Sequence, residues 1–165
     1  MREHDKTRIA MANRIFFRLY QCANMLHKTG TRAIDSAGLT TQQWAVLGAL
    51  SRPQVEGGMS VGDLARYLKV SRQNLSGVLS RMDRAGHVCM MADEHDRRSR
   101  LVQMTASGRN VWKMGAQPKI FDYYEDVLTG FSVNDMAHII HYLLKLLDNM
   151  ERIDKAQSQG SGRPE

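Results

Sequence analysis

The sequence predicts a mainly α-helical protein with a small β-hairpin, and three observations indicate this fold class. Apolar residues recur every three or four positions along most of the 165-residue chain, which is the spacing of amphipathic helices. Ser or Thr precedes Gln or Asp by three residues at several helix starts, as N-terminal capping residues do. The runs VCMMA and RLVQMT flank one charged segment and predict the hairpin.

Two helices are predicted in the first third of the chain. The first covers about residues 7–35 and has an apolar stripe wide enough to be buried on more than one side. A second helix begins at Thr40, which forms a capping box with Gln43, and ends near Leu50. The proline and glycines of SRPQVEGG predict a loop after it.

Two short helices and a hairpin occupy the middle of the chain. Ser60 and Asp63 cap the first helix, and Ser71 caps the second, which ends at Gly86. The apolar residues of the second helix fall on one face: Leu75, Val78, Leu79 and Met82. Two helices joined by a tight turn and followed by a hairpin are the arrangement of a winged helix-turn-helix.

The opposite face of the second short helix suits DNA. Its centre carries short polar side chains, and arginines flank them. Such a centre can approach base edges in a major groove, while arginines at the margins reach phosphates. A solvated helix without a partner is the alternative. The residues of this face are Arg72, Gln73, Ser76, Gly77, Ser80, Arg81 and Arg84.

Positive charge is concentrated in the same region. The whole chain has a formal charge of +6, and residues 66–100 hold eight Lys or Arg against four acids, a net charge of +4. The hairpin tip, DEHDRRSR, contributes three of these arginines and suits the negative potential of a minor groove. Asp96 lies two residues before Arg98, so in an extended backbone its carboxylate can orient the guanidinium. An inert charged turn is the alternative.

Two further helices are predicted at the C-terminal side. One begins at Thr105 and runs for about twenty residues, with possible breaks at Gly115 and Pro118. The last begins at Ser132 with Asp135 and has an apolar seam of nearly heptad spacing that needs a partner. The seam consists of Met136, Ile139, Ile140, Leu143, Leu147 and Met150.

The wing and the helix-turn-helix resemble those of the MarR family. The segment DEHDRRSRLVQMTASG is similar to the family wing, Asp-x-x-Asp-Arg-Arg, a strand, then Leu-Thr-x-x-Gly, with Met104 in place of Leu. The segment MSVGDLARYLKVSRQNLSGVLSRMDRAGHV resembles the family helix-turn-helix throughout. The resemblance covers about residues 16–150.

This resemblance implies a homodimer that binds a pseudo-palindromic operator in double-stranded DNA. Residues 7–36 and 106–153 are then the dimerisation helices, residues 40–105 the DNA-binding domain, and residues 154–165 a disordered tail. It implies that Arg98 enters the minor groove and that Asp96 orients it. The predicted DNA-binding residues are Arg72, Gln73, Ser76, Ser80, Arg81, Arg84, Asp96, Arg97 and Arg98.

The resemblance also implies a small-molecule effector that releases a repressor from DNA. An aromatic acid or its CoA thioester is the predicted ligand, by family analogy alone. Phe16, Tyr20 and Trp44 are predicted to form an aromatic wall, with Arg18 or His27 receiving the anion. The alternative assigns the aromatic side chains to the core and the two polar ones to the surface.

Other sensor chemistries have less support in the sequence. Peroxide sensors of the family carry a Cys-Phe-x-Leu-Tyr run, but here FFRLY puts Phe16 at the cysteine position. Cys22 lies more than a turn later, so a thiol sensor remains only an alternative, and both cysteines are predicted to be buried. His138 and His141 have ligand-like spacing but no accompanying cluster, so neither a metal nor another cofactor is predicted.

The remaining function classes follow from absent motifs. The sequence lacks a P-loop, a Gly-rich dinucleotide turn and a Gly-x-Ser-x-Gly motif, and it is predicted not to be an enzyme. A ligand-independent architectural DNA-binding protein is the closer alternative. No signal-peptide h-region and no membrane-length apolar run is present, which predicts a cytoplasmic protein without a membrane partner.

Overall fold

Seven α-helices and three short strands form the regular structure in residues 3–55, 57–92 and 100–160, the ranges that this computed structural model describes. This confirms the predicted mainly α-helical class with a small β-hairpin. The strands are β1 Met59–Ser60, β2 Val88–Ala92 and β3 Arg100–Met104. The helices are α1 Glu3–Ile34, α2 Thr41–Leu50, α3 Val61–Leu68, α4 Arg72–Arg84, α5 Ala106–Asn110, α6 Gln117–Val127 and α7 Val133–Gly160.

The predicted caps begin the helices as the sequence indicated. The hydroxyl of Thr40 accepts a hydrogen bond from the backbone N–H of Gln43, whose side chain accepts one from the N–H of Thr40. Ser60 and Ser71 cap α3 and α4 in the same way, each through the N–H three residues on. Each cap satisfies a backbone donor that the helix itself cannot, which stabilises a helix by about 1 kcal/mol.

The sheet has one strand more than the predicted hairpin. Its order is β1-β3-β2, and both pairings are antiparallel. Met59 pairs with Val102, so β1 lies between the predicted loop SRPQVEGG and the helix that Ser60 caps. A strand of two residues is too short to show the alternation by which strands are recognised. The hairpin strands themselves match the prediction closely, with Val88 paired to Met104 and Ala92 to Arg100.

One apolar core joins the DNA-binding helices to the end of α1. The predicted inner face of α4 is buried, with exposed fractions of 6% or less for its four apolar residues. Ile34 of α1, Leu47 of α2 and Leu64 of α3 are fully buried in the same cluster. Burying one face of α4 fixes its rotation, so its polar face points outward.

A tight joint fixes the base of the wing. The Thr105 hydroxyl donates to the carbonyl of Gly86 at 2.5 Å, and the Thr105 N–H donates to the carbonyl of His87 at 3.1 Å. Gly108 lies so close that a Cβ there would stand 1.9 Å from the His87 carbonyl oxygen. The turn after α4, the end of β3 and the start of α5 are therefore held together, with no room for a side chain at residue 108.

The long helix after the wing is continuous, but its hydrogen-bond pattern changes within it. A π-helical turn at Val111–Ala116 connects α5 to α6, and the N–H of Gln117 donates to the carbonyl of Trp112, five residues earlier. Pro118 follows directly; it lacks an N–H, and its ring would press on a carbonyl four residues earlier in a regular α-helix. The wider turn relieves that clash, so the helix continues past Gly115 and Pro118, where the sequence had indicated possible breaks.

The last helix is longer than predicted. It continues to Gly160, so residues 154–160 are helical and the prediction of a disordered tail from residue 154 is wrong for them. Extending an existing helix through Lys155, Ala156 and Gln157 needs no new nucleus, and these residue types favour helices. Residues 161–165 lie outside the described ranges. Among the described helices, none combines the length and apolarity needed to cross a bilayer.

The chain divides into two compact units, Met1–Tyr124 and Glu125–Glu165. The predicted dimerisation segment 106–153 therefore spans the boundary between them, which lies within α6. In the first unit, most of α1 is exposed, including Phe17 at 70% and Tyr20 at 68%. Cys22 is also exposed, so its predicted burial is wrong for the single chain, while Cys89 is half-buried.

The apolar seam of α7, in the second unit, is also largely exposed. Ile139, Ile140 and Leu143 show 40%, 58% and 48% of their surface, while Met136 and Leu147 are half-buried. Apolar patches of this kind on one chain indicate an interaction surface.

We expect this chain to be a dimer, and Leu143→Asp is expected to weaken it. A carboxylate placed in an apolar interface without a partner costs roughly 3–5 kcal/mol. Light scattering at micromolar concentration should give twice the mass of one chain for the native protein and a lower mass for the variant.

Asn149→Asp is the matched control because it adds the same charge to α7 at an exposed polar position away from the seam. A native chain that scatters as a monomer, or a Leu143→Asp protein as dimeric as the control, would contradict the prediction.

Candidate nucleic-acid interface

The two helices of the candidate interface are joined by a turn of unusual backbone conformation. Lys69 ends α3 with φ of 56°, in the left-handed region that glycine usually occupies. The N–H of Val70 then donates to the carbonyl of Ala65 at 3.1 Å, and Ser71 starts α4. This turn reverses the chain within three residues and sets α4 against α3, as a helix-turn-helix requires.

The outer face of α4 is exposed over its whole length. All of the predicted contact residues on this helix are exposed: Arg72, Gln73, Ser76, Ser80, Arg81 and Arg84. No Glu occurs in α4, and Asp83 is its single carboxylate. The face therefore presents amide and hydroxyl groups together with three guanidinium groups.

Local contacts orient several of these side chains. The guanidinium of Arg72 packs over α3, where a Cβ at Gly62 would lie 3.0 Å from its Nη2 atom. The Ser76 hydroxyl donates to the carbonyl of Arg72 at 2.8 Å, so its oxygen is presented as an acceptor. The Nε of Arg84 donates to the carbonyl of Ser80 at 3.3 Å. The role of Gly62 could not be inferred from spacing, because it depends on contact between two helices.

The wing strands lead toward the predicted arginine-rich tip. The last pair before it joins Ala92 to Arg100. Asp96, Arg97 and Arg98 lie outside the described residues, so their predicted contacts with the minor groove remain predictions.

The predicted effector residues separate into two groups. His27 and Trp44 lie where α1 meets the start of α2. His27 Nδ1 forms a hydrogen bond with the hydroxyl of Thr41, which is only 8% exposed. Trp44 packs against the ring of Tyr124 with 5.9 Å between centroids. Thr31 completes the polar part, with its hydroxyl 2.9 Å from that of Thr41.

A second tyrosine ties the same region to α6. The hydroxyls of Thr29 and Tyr123 are 2.8 Å apart, and the Tyr123 ring lies 6.5 Å from that of Tyr124. Burial, and then the neighbouring Tyr123, raise the pKa of Tyr124, so its phenol stays protonated at neutral pH. We call the residues His27, Thr41, Trp44, Tyr123 and Tyr124 the hinge cluster.

Phe16, Arg18 and Tyr20 lie elsewhere on the same helix. Trp44 contacts α1 at Gly30, where a Cβ would lie 3.3 Å from its ring. Phe16 is fourteen residues earlier, which is about 21 Å along a helix. Arg18 donates to the side chain of Gln21 at 2.8 Å, and Tyr20 is exposed. A single chain therefore does not assemble the predicted aromatic wall, and the effector roles of all five residues remain predictions.

The two histidines with ligand-like spacing lie on α7. His138 and His141 are both exposed, and the His141 ring packs edge-on against Tyr142 with 5.2 Å between centroids. Within the described ranges, no three His, Cys, Asp or Glu side chains come together as a metal site would require.

These features define a class of protein. A buried-face helix with a polar and cationic outer face, preceded by a tight turn and followed by an antiparallel hairpin, is a winged helix-turn-helix. The chain belongs to the MarR family of transcriptional regulators: residues 37–99 match the model of that family. This confirms the resemblance that the wing and helix-turn-helix motifs indicated.

Relatives of known role extend the match beyond the DNA-binding region. The chain is 70% identical over 147 residues to the transcriptional activatory protein BadR of Rhodopseudomonas palustris, covering 89% of this chain and 84% of that one. It is 30% identical over 105 residues to the homoprotocatechuate degradative operon repressor of Escherichia coli, covering 64% and 68%.

A solved structure gives the same fold. The transcriptional regulator MosR of M. tuberculosis, in complex with DNA, superposes with a TM-score of 0.72 at 25% identity. The match covers 83% of this chain and 96% of that one, so it includes helices outside the winged domain.

The two kinds of contact on α4 should separate in binding measurements. We expect Gln73→Ala to reduce discrimination between operator and unrelated DNA by roughly 1–3 kcal/mol, because an amide reads base edges. Arg81→Ala should weaken binding to all sequences alike and lower the slope of log affinity against log salt by about one, because a guanidinium neutralises a phosphate.

Arg98→Ala on the wing should weaken operator binding by roughly 1–3 kcal/mol.

Fluorescence anisotropy at several salt concentrations measures all three effects. Arg152→Ala, which removes an exposed arginine from α7, is the control. If Gln73→Ala keeps full sequence discrimination, α4 does not read bases, and if Arg98→Ala binds the operator like the control, the wing assignment is wrong.

Proposed function

We propose that this protein is a homodimeric regulator that binds a pseudo-palindromic DNA site and is controlled by a small-molecule effector. The exposed polar and cationic face of α4, backed by a buried apolar face, is the observation that carries the DNA-binding part. The 25% identity to MosR, which was solved with DNA, supports it. No catalytic function is proposed, and the cytoplasm is the proposed location.

In this proposal, α1 and the helices after the wing form the dimer. Two recognition helices must stand about 34 Å apart to enter successive major grooves of one DNA face. The exposed apolar faces of α1 and α7 support the assignment of residues 7–36 and 106–153 to dimerisation, with residues 40–105 binding DNA. Whatever changes the angle between these helices and the winged domain then changes that distance.

The proposed effector is an aromatic acid or its CoA thioester. The relative named for homoprotocatechuate degradation supports an aromatic acid, because homoprotocatechuate is one. The hinge cluster offers suitable groups, namely the rings of Trp44 and Tyr124 beside the polar set of His27 and Thr41. Phe16, Arg18 and Tyr20 of a second copy are the proposed completion of the site, since one chain does not bring them there.

The hinge cluster suggests how an effector could act without touching DNA. It joins α1, α2 and α6 through hydrogen bonds and ring contacts, so a ligand wedged among them would alter the spacing of the winged domains. Linkage makes the effect reciprocal: a ligand that lowers DNA affinity tenfold binds the DNA complex tenfold more weakly, about 1.4 kcal/mol.

We expect one class of aromatic ligand to release the DNA, and Trp44→Ala to blunt that release. Benzoate-type and cinnamate-type acids and their CoA thioesters are titrated against a fluorescent operator duplex bound by the protein. Because Trp44 belongs to the proposed effector site and not to α4, the variant should keep its operator affinity within about threefold. It should need at least about tenfold more ligand for release of the DNA.

Phe17→Ala, which truncates an exposed aromatic of α1, controls for loss of a ring in general. Equal ligand response in Trp44→Ala and the control would place the effector site elsewhere. No release by any aromatic acid or thioester would favour the architectural alternative. Release by peroxide that requires Cys22, which is exposed, would favour the thiol sensor.

The direction of regulation has two candidates. We propose repression that the effector relieves, as in the name of the homoprotocatechuate relative. Activation is the second candidate, and the name of the 70% identical relative favours it. Both use the same DNA contacts, so the fold does not distinguish them.

We expect removal of the protein to raise transcription of genes beside its operator when no effector is present. The physical reason is that a bound dimer excludes polymerase from an overlapping promoter. Transcripts are quantified with and without effector in strains that carry or lack the gene. Transcription that stays low in the absence of the protein, even with effector, would identify an activator instead.

A further inference from the structure

A basic groove lies between the end of α2 and the segment that follows β3, and its lining includes no residue of α4. It has a volume of about 630 Å³ and is bounded by the end of α2, the 3-10 turn Pro53–Val55, the end of β3 and the π-helical turn. Three cations line it, Arg52, Arg109 and Lys113, and Trp112 supplies its aromatic wall. No carboxylate is among the described residues that line it.

Two of the cations are held in place by backbone carbonyls. Arg52 donates from Nε to the carbonyl of Ala49 at 3.0 Å, and its guanidinium carbon lies 3.8 Å from the centroid of the Tyr67 ring. Arg109 donates to the carbonyl of Met104 at 2.7 Å. Each arginine has donors beyond these bonds, because a guanidinium carries five N–H groups.

The charge of the groove is not neutralised by the described part of the chain. Neither arginine nor Lys113 forms an ion pair with another described residue, whereas Arg66 of α3 pairs with Asp63. Lys113 is exposed at the rim. Three cations around one concave surface, with no carboxylate among its described lining residues, favour a ligand with more than one negative charge.

The π-helical turn and a glycine place the aromatic wall. Trp112 and Lys113 both belong to the turn Val111–Ala116, and such turns often occur at functional sites. Trp112 packs on Gly48 of α2, where a Cβ would lie 3.3 Å from the indole. Its half-buried ring is therefore fixed from one side and remains partly exposed.

We propose that this groove binds a nucleotide, with its phosphates on Arg52, Arg109 and Lys113 and its base against Trp112. Guanidinium groups hold phosphate oxygens by paired hydrogen bonds, and a base stacks on an indole ring. The volume lies within the range of small-molecule sites, and a single carboxylate would leave most of the charge unmatched. The groove shares no residue with the DNA-binding face or the hinge cluster.

Two sources provide this chemistry. One is a free nucleotide, and the other is the nucleotide part of a CoA thioester. The second source deepens the effector proposal and rests on it, whereas binding of a free nucleotide does not. ADP and CoA are both tested without DNA and without an aromatic acid. Because CoA contains an ADP unit, equal binding of the two indicates a site for the free nucleotide, and binding of CoA that is much tighter than that of ADP indicates the second source.

The chain offers a specific reporter because it contains two tryptophans, Trp44 and Trp112. In a Trp44→Phe protein, fluorescence reports Trp112 alone, and we expect saturable quenching by ADP, CoA or both. Lys113→Glu in this background should weaken that binding by about tenfold or more. Lys119→Glu, which makes the same charge change outside the groove, should leave it unchanged.

Circular dichroism verifies that both variants fold. The proposal is overturned if neither ADP nor CoA quenches Trp112 saturably, or if Lys113→Glu and Lys119→Glu bind alike. It is also overturned if Lys113→Glu lowers operator affinity while no nucleotide binds, since the groove would then contact DNA. Because no arm of this test uses an aromatic acid or operator release, its failure leaves the proposed function untouched, and the reverse holds as well.

Discussion

The joint at the base of the wing is the constraint on which the DNA-binding surface depends. The Thr105 hydroxyl bonds to the turn after α4, and Gly108 lies against the His87 carbonyl with no space for a Cβ. The same threonine caps α5. One short segment therefore ties α4, the hairpin strands and α5 together. The strands of the wing therefore have a fixed base relative to α4.

Much of this architecture was predictable because it is local in sequence. Helix caps depend on residues three apart, and the inner face of α4 follows from its periodicity. The outer face of α4 was predicted as the side of the helix opposite its apolar residues. Of the hinge cluster, His27 and Trp44 were among the predicted effector residues, but Tyr123 and Tyr124 were not, since they come from α6, far from α1 and α2 in the chain. The groove was not predicted for the same reason, because its cations come from the segment after α2, from α5 and from the π-helical turn.

The hinge cluster includes a buried polar group at the start of α2. Thr41 is buried among hydrogen bonds to His27 and Thr31, and a buried polar group is stable only while it keeps its partners. Because hydrogen bonds are directional, such a junction allows only a few relative positions of its two helices. An apolar contact is not directional and would let the helices shift more easily. The contact between α1 and the start of α2 is thus fixed by polar groups that bond to one another inside the fold.

The π-helical turn makes two positions of the chain interdependent. An α-helix rotates by about 100° per residue, so one extra residue in a turn rotates everything after it by that angle. Pro118 tolerates its place because Val111–Ala116 absorbs the clash. Deleting one residue from that turn would restore regular hydrogen bonding up to the proline and bring the clash back. Replacing Pro118 alone would leave the π-helical turn in place without the steric clash that it relieves. In sequence comparisons, a gap near residue 115 and a change at residue 118 should therefore occur together.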